Sequence, residues 1–72
     1  GKFAAKEASA KALMSSGILE RISFKDIEIL TKVNGAPFVE LNNAPKEKIK
    51  NFEISISHTD QYATAVALVE LF

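Results

Sequence analysis

Hydrophobic and polar positions change their period along the 72 residues. Residues 2–15 are rich in Ala, Leu, Met, Lys and Glu, which lose little conformational freedom in a helix, and Gly17 follows where a helix cap is expected. The spacing predicts a helix from Lys2 to Ser15. At about 100° per residue, Phe3, Ala10, Leu13 and Met14 share one sector. Lys6 and Glu7 fall inside that sector, so two charges are expected to face apolar surroundings. The rest of the helix is mostly alanine, which predicts packing on more than one side.

The period then shortens to two. Ile27 and Ile29 stand at strand spacing between Asp26 and Lys32, Asn34-Gly35 follows, and Pro37 to Leu41 forms another short apolar run. Asn-Gly between two such runs signals a hairpin. From Asn42 to Asn51 the chain turns polar, with Asn43 as a possible N-cap, Pro45 in a first-turn position and three lysines after it, which predicts a short solvated helix. Phe52, Ile54 and Ile56 alternate with Glu53, Ser55 and Ser57, the pattern of a strand with one buried face. Residues 58–61 supply a turn. Tyr62 to Leu71 is apolar on both faces and should be covered from both sides, more than a monomer of this size supplies. An oligomer, a missing segment, or both is therefore expected. The elements predict one α+β domain over residues 1–72, an N-terminal helix packed on an antiparallel sheet.

Composition narrows the function classes. With 47% hydrophobic and 25% charged residues the chain is an ordinary globular sequence, which excludes a disordered tail or a low-complexity linker. Nine basic groups balance nine acidic ones, so the field of a general nucleic-acid binder is absent. The imbalance is local: residues 1–32 hold six basic and four acidic groups, and residues 33–72 three and five, which favours an anion site in the first part. No cysteine and one histidine exclude a disulfide framework and a thiolate or histidine-rich metal site, and fit a reducing, cytoplasmic compartment. The apolar run from Ala63 to Val69 is far shorter than the roughly 20 residues that span a bilayer, so no membrane association is expected. A chain opening on Gly1 and passing straight into helix-like sequence is expected to be a fragment or a processed piece.

Three positions could carry chemistry. Glu7 and Lys11 form an i,i+4 pair in the favourable order, which by itself is a surface ion pair of about 0.2–0.5 kcal/mol. A carboxylate in an apolar sector, however, loses hydration unless a cation compensates. A hard divalent ion such as Mg²⁺ would do so, using one or two carboxylates, waters and phosphate oxygens of a substrate, and Lys11 one turn on would reach a phosphate on the same ion. His58 ends a strand and reads either as a hydrogen-bonded turn residue or, with the Thr59 hydroxyl and turn amides, as a phosphate holder. Ser57 and His58 are neighbours on opposite strand faces, so a catalytic triad has no support. Asn34-Gly35 reads as turn chemistry, Gly17 as a helix stop, and Lys46, Lys48 and Lys50 as a solvated face.

Four segments in register resemble one family. They are Gly1-Lys2-Phe3-Ala4-Ala5-Lys6-Glu7-Ala8 with Lys11, Phe24-Lys25-Asp26-Ile27-Glu28-Ile29, Asn34-Gly35-Ala36-Pro37, and Ile56-Ser57-His58-Thr59 with Tyr62-Ala63. In that order they are similar to the bacterial holo-acyl-carrier-protein synthases, the small class of 4′-phosphopantetheinyl transferases. The resemblance implies a cytoplasmic enzyme of fatty acid and lipid metabolism. Its reaction moves the 4′-phosphopantetheine arm of coenzyme A onto a serine of an acyl carrier protein and releases adenosine 3′,5′-bisphosphate. It further implies Glu7 as a Mg²⁺ ligand and Lys11 on the coenzyme A phosphates, the two catalytic positions. His58 and Thr59 would hold the nucleotide end with its 3′-phosphate, and Lys2, Asn34 and Gly35 would border the same pocket. A homotrimer with active sites between protomers is expected, which would cover the last strand. The alternatives are a non-catalytic homologue that binds coenzyme A or a carrier protein, and a structural assembly module.

Three departures from the family pattern stand out. The family's N-terminal Gly-x-Asp strand, which carries a second metal-binding aspartate, is absent, so this stretch alone is expected to bind Mg²⁺ weakly. The glycine-rich loop after the helix reads Met14-Ser15-Ser16-Gly17-Ile18, one residue longer and one glycine poorer. Ala36 stands where a lysine is usual.

Overall fold

The computed structural model describes residues 2–72; Gly1, first residue of the helical motif, lies outside them. Helix α1 spans Lys2–Ser15, the expected range. It ends because Gly17 adopts φ +83°, its N–H donating to the Met14 carbonyl at 3.2 Å, while the Ser16 hydroxyl donates to the Leu13 carbonyl at 2.7 Å. These bonds occupy carbonyls that a helix end would otherwise leave open.

The buried stripe of α1 keeps Ala10 and Leu13 of the expected sector but not Phe3 and Met14. Ala5, Ser9, Ala10 and Leu13 are buried, whereas Phe3 is 69% and Met14 40% exposed. Small side chains let the helix lie close on the strands beneath it, and that close approach outweighs the larger area Phe3 and Met14 could bury. Phe3 instead meets Phe24, ring centroids 5.6 Å apart and tilted by 59°. The Ser9 hydroxyl is buried without a hydrogen-bond partner.

Strands β1 (Ile27–Thr31) and β2 (Pro37–Leu41) form the predicted antiparallel hairpin, pairing Ile27 with Leu41 and Ile29 with Val39. The period of two puts Ile27, Ile29 and Leu41 on the inner face, where all three are buried. The strand starts one residue later than the sequence pattern suggests, because Phe24–Asp26 closes a 3₁₀ turn through Asp26 N–H to the Ser23 carbonyl at 2.9 Å. At the hairpin tip, Lys32 N–H bonds the Ala36 carbonyl at 2.8 Å and Gly35 N–H the Lys32 carbonyl at 2.9 Å. Gly35 takes φ +89°, so three residues form the loop and the glycine, not Asn34, occupies its left-handed position.

The capped helix expected after Asn42 is a single 3₁₀ turn at Lys46–Lys48. Asn43 does not cap it. It sits at φ 56° and its side chain donates to Asp26 Oδ1 at 3.1 Å, a local bond that competes with helix formation.

Strand β3 (Ile49–His58) starts earlier than expected, through a bulge between Ile49 and Asn51, and pairs antiparallel with β4 (Ala63–Leu71). Phe52, Ile54, Ile56, Ala65 and Val69 pack against the core. The opposite face carries Val66 at 68% and Leu68 at 62% exposure, so within one chain β4 is covered on one side. Helix α1 packs mainly on β4 and reaches β1 and β3, and β2 lies beside β3. The strands form two two-stranded sheets, not one continuous sheet. The class is α+β, as expected.

Candidate functional site

The helix and the start of β4 enclose a groove of about 300 Å³, lined by Ala4, Glu7, Ala8 and Lys11 on α1 and by Ala63, Thr64 and Ala65 on β4. Four alanines make the groove, because side chains of one carbon leave space between a helix and the strand beside it. Glu7 and Lys11 lie one turn apart along its rim. Glu7 is exposed, not sunk in an apolar sector, since the buried stripe runs through Ala5 and Ser9. Lys6 leaves the groove altogether: its ammonium donates to the Phe24 carbonyl at 3.3 Å.

The expected i,i+4 ion pair is not formed. The single ion pair among the described residues joins Lys46 to Glu40 at 3.3 Å, both half-exposed. Among the described residues, then, neither Glu7 nor Lys11 is ion-paired, and both line the groove.

Next to the groove, sharing Ala63 with it, residues 58–63 curl around a concavity of about 430 Å³. The turn is held by Thr59. Its backbone N–H donates to the Tyr62 carbonyl at 2.7 Å, and its Oγ1 accepts the N–H groups of Gln61 at 3.3 Å and Tyr62 at 3.1 Å. With both acceptances taken by backbone, the exposed Thr59 hydroxyl keeps its proton to donate to an anion. His58, at the end of β3 and opposite Ala63 in the register, stands exposed at the same concavity.

The structure therefore brings Glu7, Lys11, His58 and Thr59 to one end of the α1–β4 layer. It leaves Lys2, Asn34 and Gly35 outside both concavities: Lys2 is exposed at the helix start, and Asn34 and Gly35 form the tip of the first hairpin. In the loop after the helix, the Ile18 N–H is taken by Ser16 Oγ at 3.4 Å. No group of three or more Asp, Glu, His or Cys that could hold a metal occurs among the described residues. Glu7 is the one carboxylate lining the groove. That donor set fits a hard ion which draws its remaining ligands from water and phosphate oxygens.

Sequence reasoning missed the alanine wall. Ala4, Ala8, Ala63 and Ala65 read as helix former and strand filler, yet small residues at i,i+4 facing small residues on a strand are the signal for a groove.

Residues 1–67 match the family model described as the 4′-phosphopantetheinyl transferase superfamily. The holo-[acyl-carrier-protein] synthase of Caldicellulosiruptor saccharolyticus is 52% identical over 97% of this chain and 58% of its own length. The fatty acid synthase subunit alpha of Candida parapsilosis is 48% identical over 97% of this chain and 4% of its own. A crystal structure of Helicobacter pylori holo-[acyl-carrier-protein] synthase in complex with coenzyme A superposes with a TM-score of 0.81 at 39% identity, covering 97% of this chain and 62% of that one. The chain thus spans little more than half the length of the bacterial relatives it matches. The chain belongs to the 4′-phosphopantetheinyl transferase superfamily.

Proposed function

We propose that this chain supplies the coenzyme A-holding part of an enzyme that transfers 4′-phosphopantetheine to a serine of an apo acyl carrier protein. The observation that carries the proposal is the unpaired Glu7 and Lys11 on one groove, directly beside the His58–Thr59 turn. In the reaction the serine oxygen bonds to the phosphorus that carries the pantetheine arm, the bridging P–O bond of the diphosphate breaks, and adenosine 3′,5′-bisphosphate leaves. The serine proton passes to solvent or a base. Such a transfer requires alignment and charge neutralisation more than a covalent catalyst.

The roles follow from position. Lys11 offsets charge on the diphosphate. Thr59 donates its hydroxyl, and His58 a ring N–H, to the phosphate at the nucleotide end. Glu7 offers one oxygen ligand to Mg²⁺, which when bound neutralises the diphosphate and its leaving oxygen. Lys2 and the Asn34-Gly35 tip, which do not line the groove of their own chain, border the pocket of a neighbouring copy in a cytoplasmic homotrimer. The exposed Val66 and Leu68 supply apolar surface for that assembly. Among the described residues no helix is long and apolar enough to cross a membrane.

A second reading, a homologue that binds coenzyme A without transferring, is favoured by the lone carboxylate on the groove. Mixing the protein with coenzyme A, Mg²⁺ and apo carrier separates the two by the carrier's mass. Transfer adds the arm, and Glu7→Ala lowers the rate by about a hundredfold or more with melting unchanged, as for an exposed group that acts only on the bound diphosphate. Binding of coenzyme A with no mass gain selects the second reading.

A further inference from the structure

We infer that the Asn34-Gly35 tip of the first hairpin is a site of spontaneous covalent modification, where the Asn34 carboxamide loses ammonia and the residue becomes aspartate or isoaspartate. The chain has four asparagines, at 34, 42, 43 and 51, and the fold treats them differently.

Only Asn34 precedes a glycine, and beyond Asn34 and Ala36 no residue places an atom within 4 Å of where a Cβ on Gly35 would stand. The Gly35 nitrogen is therefore approachable from the side-chain direction. The Asn34 side chain is already folded over its own backbone, because Ala36 N–H donates to Oδ1 at 3.0 Å. That donor sits on the oxygen which becomes negative when the carboxamide carbon is attacked, the arrangement that stabilises a tetrahedral intermediate. What restrains the reaction is one bond, Gly35 N–H to the Lys32 carbonyl at 2.9 Å, at an exposed tip that opens without disturbing the core. The other three are held. Asn42 donates its amide to Glu28 Oε1 at 3.1 Å, Asn43 donates to Asp26 Oδ1 at 3.1 Å, and Asn51 lies in β3 opposite Glu70. Each is followed by a residue with a Cβ.

Hydroxide removes the Gly35 amide proton as that nitrogen bonds to Cγ of Asn34. The carboxamide C–N bond breaks, and ammonia leaves with a proton from water, closing a five-membered imide. Water then opens the ring: attack at Cγ gives aspartate, and attack at the backbone carbonyl gives isoaspartate, with the chain rerouted through the side chain. The net change is water in and ammonia out. It leaves nine basic groups against ten acidic ones where nine faced nine.

The test holds the protein at mildly alkaline pH, folded and in urea, and follows it by ion exchange and peptide mass mapping. The folded chain should yield a more anionic species whose change maps to Asn34, about fivefold slower than in urea, the factor one exposed hydrogen bond supplies. Asn42, Asn43 and Asn51 stay intact in the folded chain over the same period. Asn34→Gln abolishes the anionic species while circular dichroism stays unchanged. Two outcomes overturn the inference: Asn34 intact in the folded protein after the urea sample has converted fully, or Asn42, Asn43 or Asn51 converting as fast as Asn34.

Discussion

The two hairpins divide the work of this chain. The first, β1–β2, is short, yet Ile27, Ile29 and Leu41 are buried and join Ala5, Ala10 and Leu13 of the helix in the core. The second, β3–β4, is nearly twice as long and has no buried residue. Its inner face pairs isoleucine with alanine, Ile54 with Ala67 and Ile56 with Ala65, and Ala65 lines the groove between strand and helix. The hairpin that packs best carries stability. The hairpin with the less buried side chains carries the groove and the His58–Thr59 turn, where the proposed binding needs open space.

That division predicts unequal responses to the same truncation. Ile27→Ala should lower stability by about 3 kcal/mol, and Ile54→Ala, only partly buried, by about 1 kcal/mol. A domain of this length has only about 4–10 kcal/mol in total, so the first change alone is severe. Urea midpoints at matched slopes give both values. Equal losses would mean that the second hairpin belongs to the core as fully as the first.

A smaller effect is expected on the outer face of the second hairpin. Val66→Lys places a charge on a side chain already 68% exposed, so the stability of a single copy should change by less than about 0.5 kcal/mol. If that face is where copies meet, the same change shifts the mass in sedimentation equilibrium toward a monomer. An unchanged mass with unchanged stability would leave the face as plain surface and remove the proposed assembly's apolar contact.

How much of this was legible in the sequence follows the same line. The helix bounds, the Gly17 stop and both hairpins were readable because propensity, left-handed glycine and period-two alternation are local signals. Glu7 with Lys11, and His58 with Thr59, were readable as pairs for the same reason. Their meeting across Ala63 was not, since it depends on which face α1 turns to β4. Hydrophobicity alone placed Ala10 and Leu13 rightly but favoured Phe3 and Met14 over the small residues at 5 and 9. The Asn43 cap failed because a distant acceptor, Asp26, claimed its side chain.

The smallest effect lies on the outward face of the first hairpin. Glu28 stands directly opposite Glu40, whereas the outward pairs of the second hairpin, Glu53 with Leu68, Ser55 with Val66 and Ser57 with Thr64, oppose no like charges. Like charges across a strand pair are destabilising. Here Lys46 answers Glu40 at 3.3 Å and the Asn42 amide answers Glu28 at 3.1 Å, so the repulsion is only partly relieved. Glu28→Thr removes it, adds a residue that favours strands, and gives up one exposed hydrogen bond. The balance should be a gain of about 0.3 kcal/mol at low salt, shrinking as added salt screens the repulsion in the parent chain. Urea midpoints of both proteins at low and high ionic strength check it. A loss that does not respond to salt would mean that the Asn42 bond, not the opposed charges, governs that face.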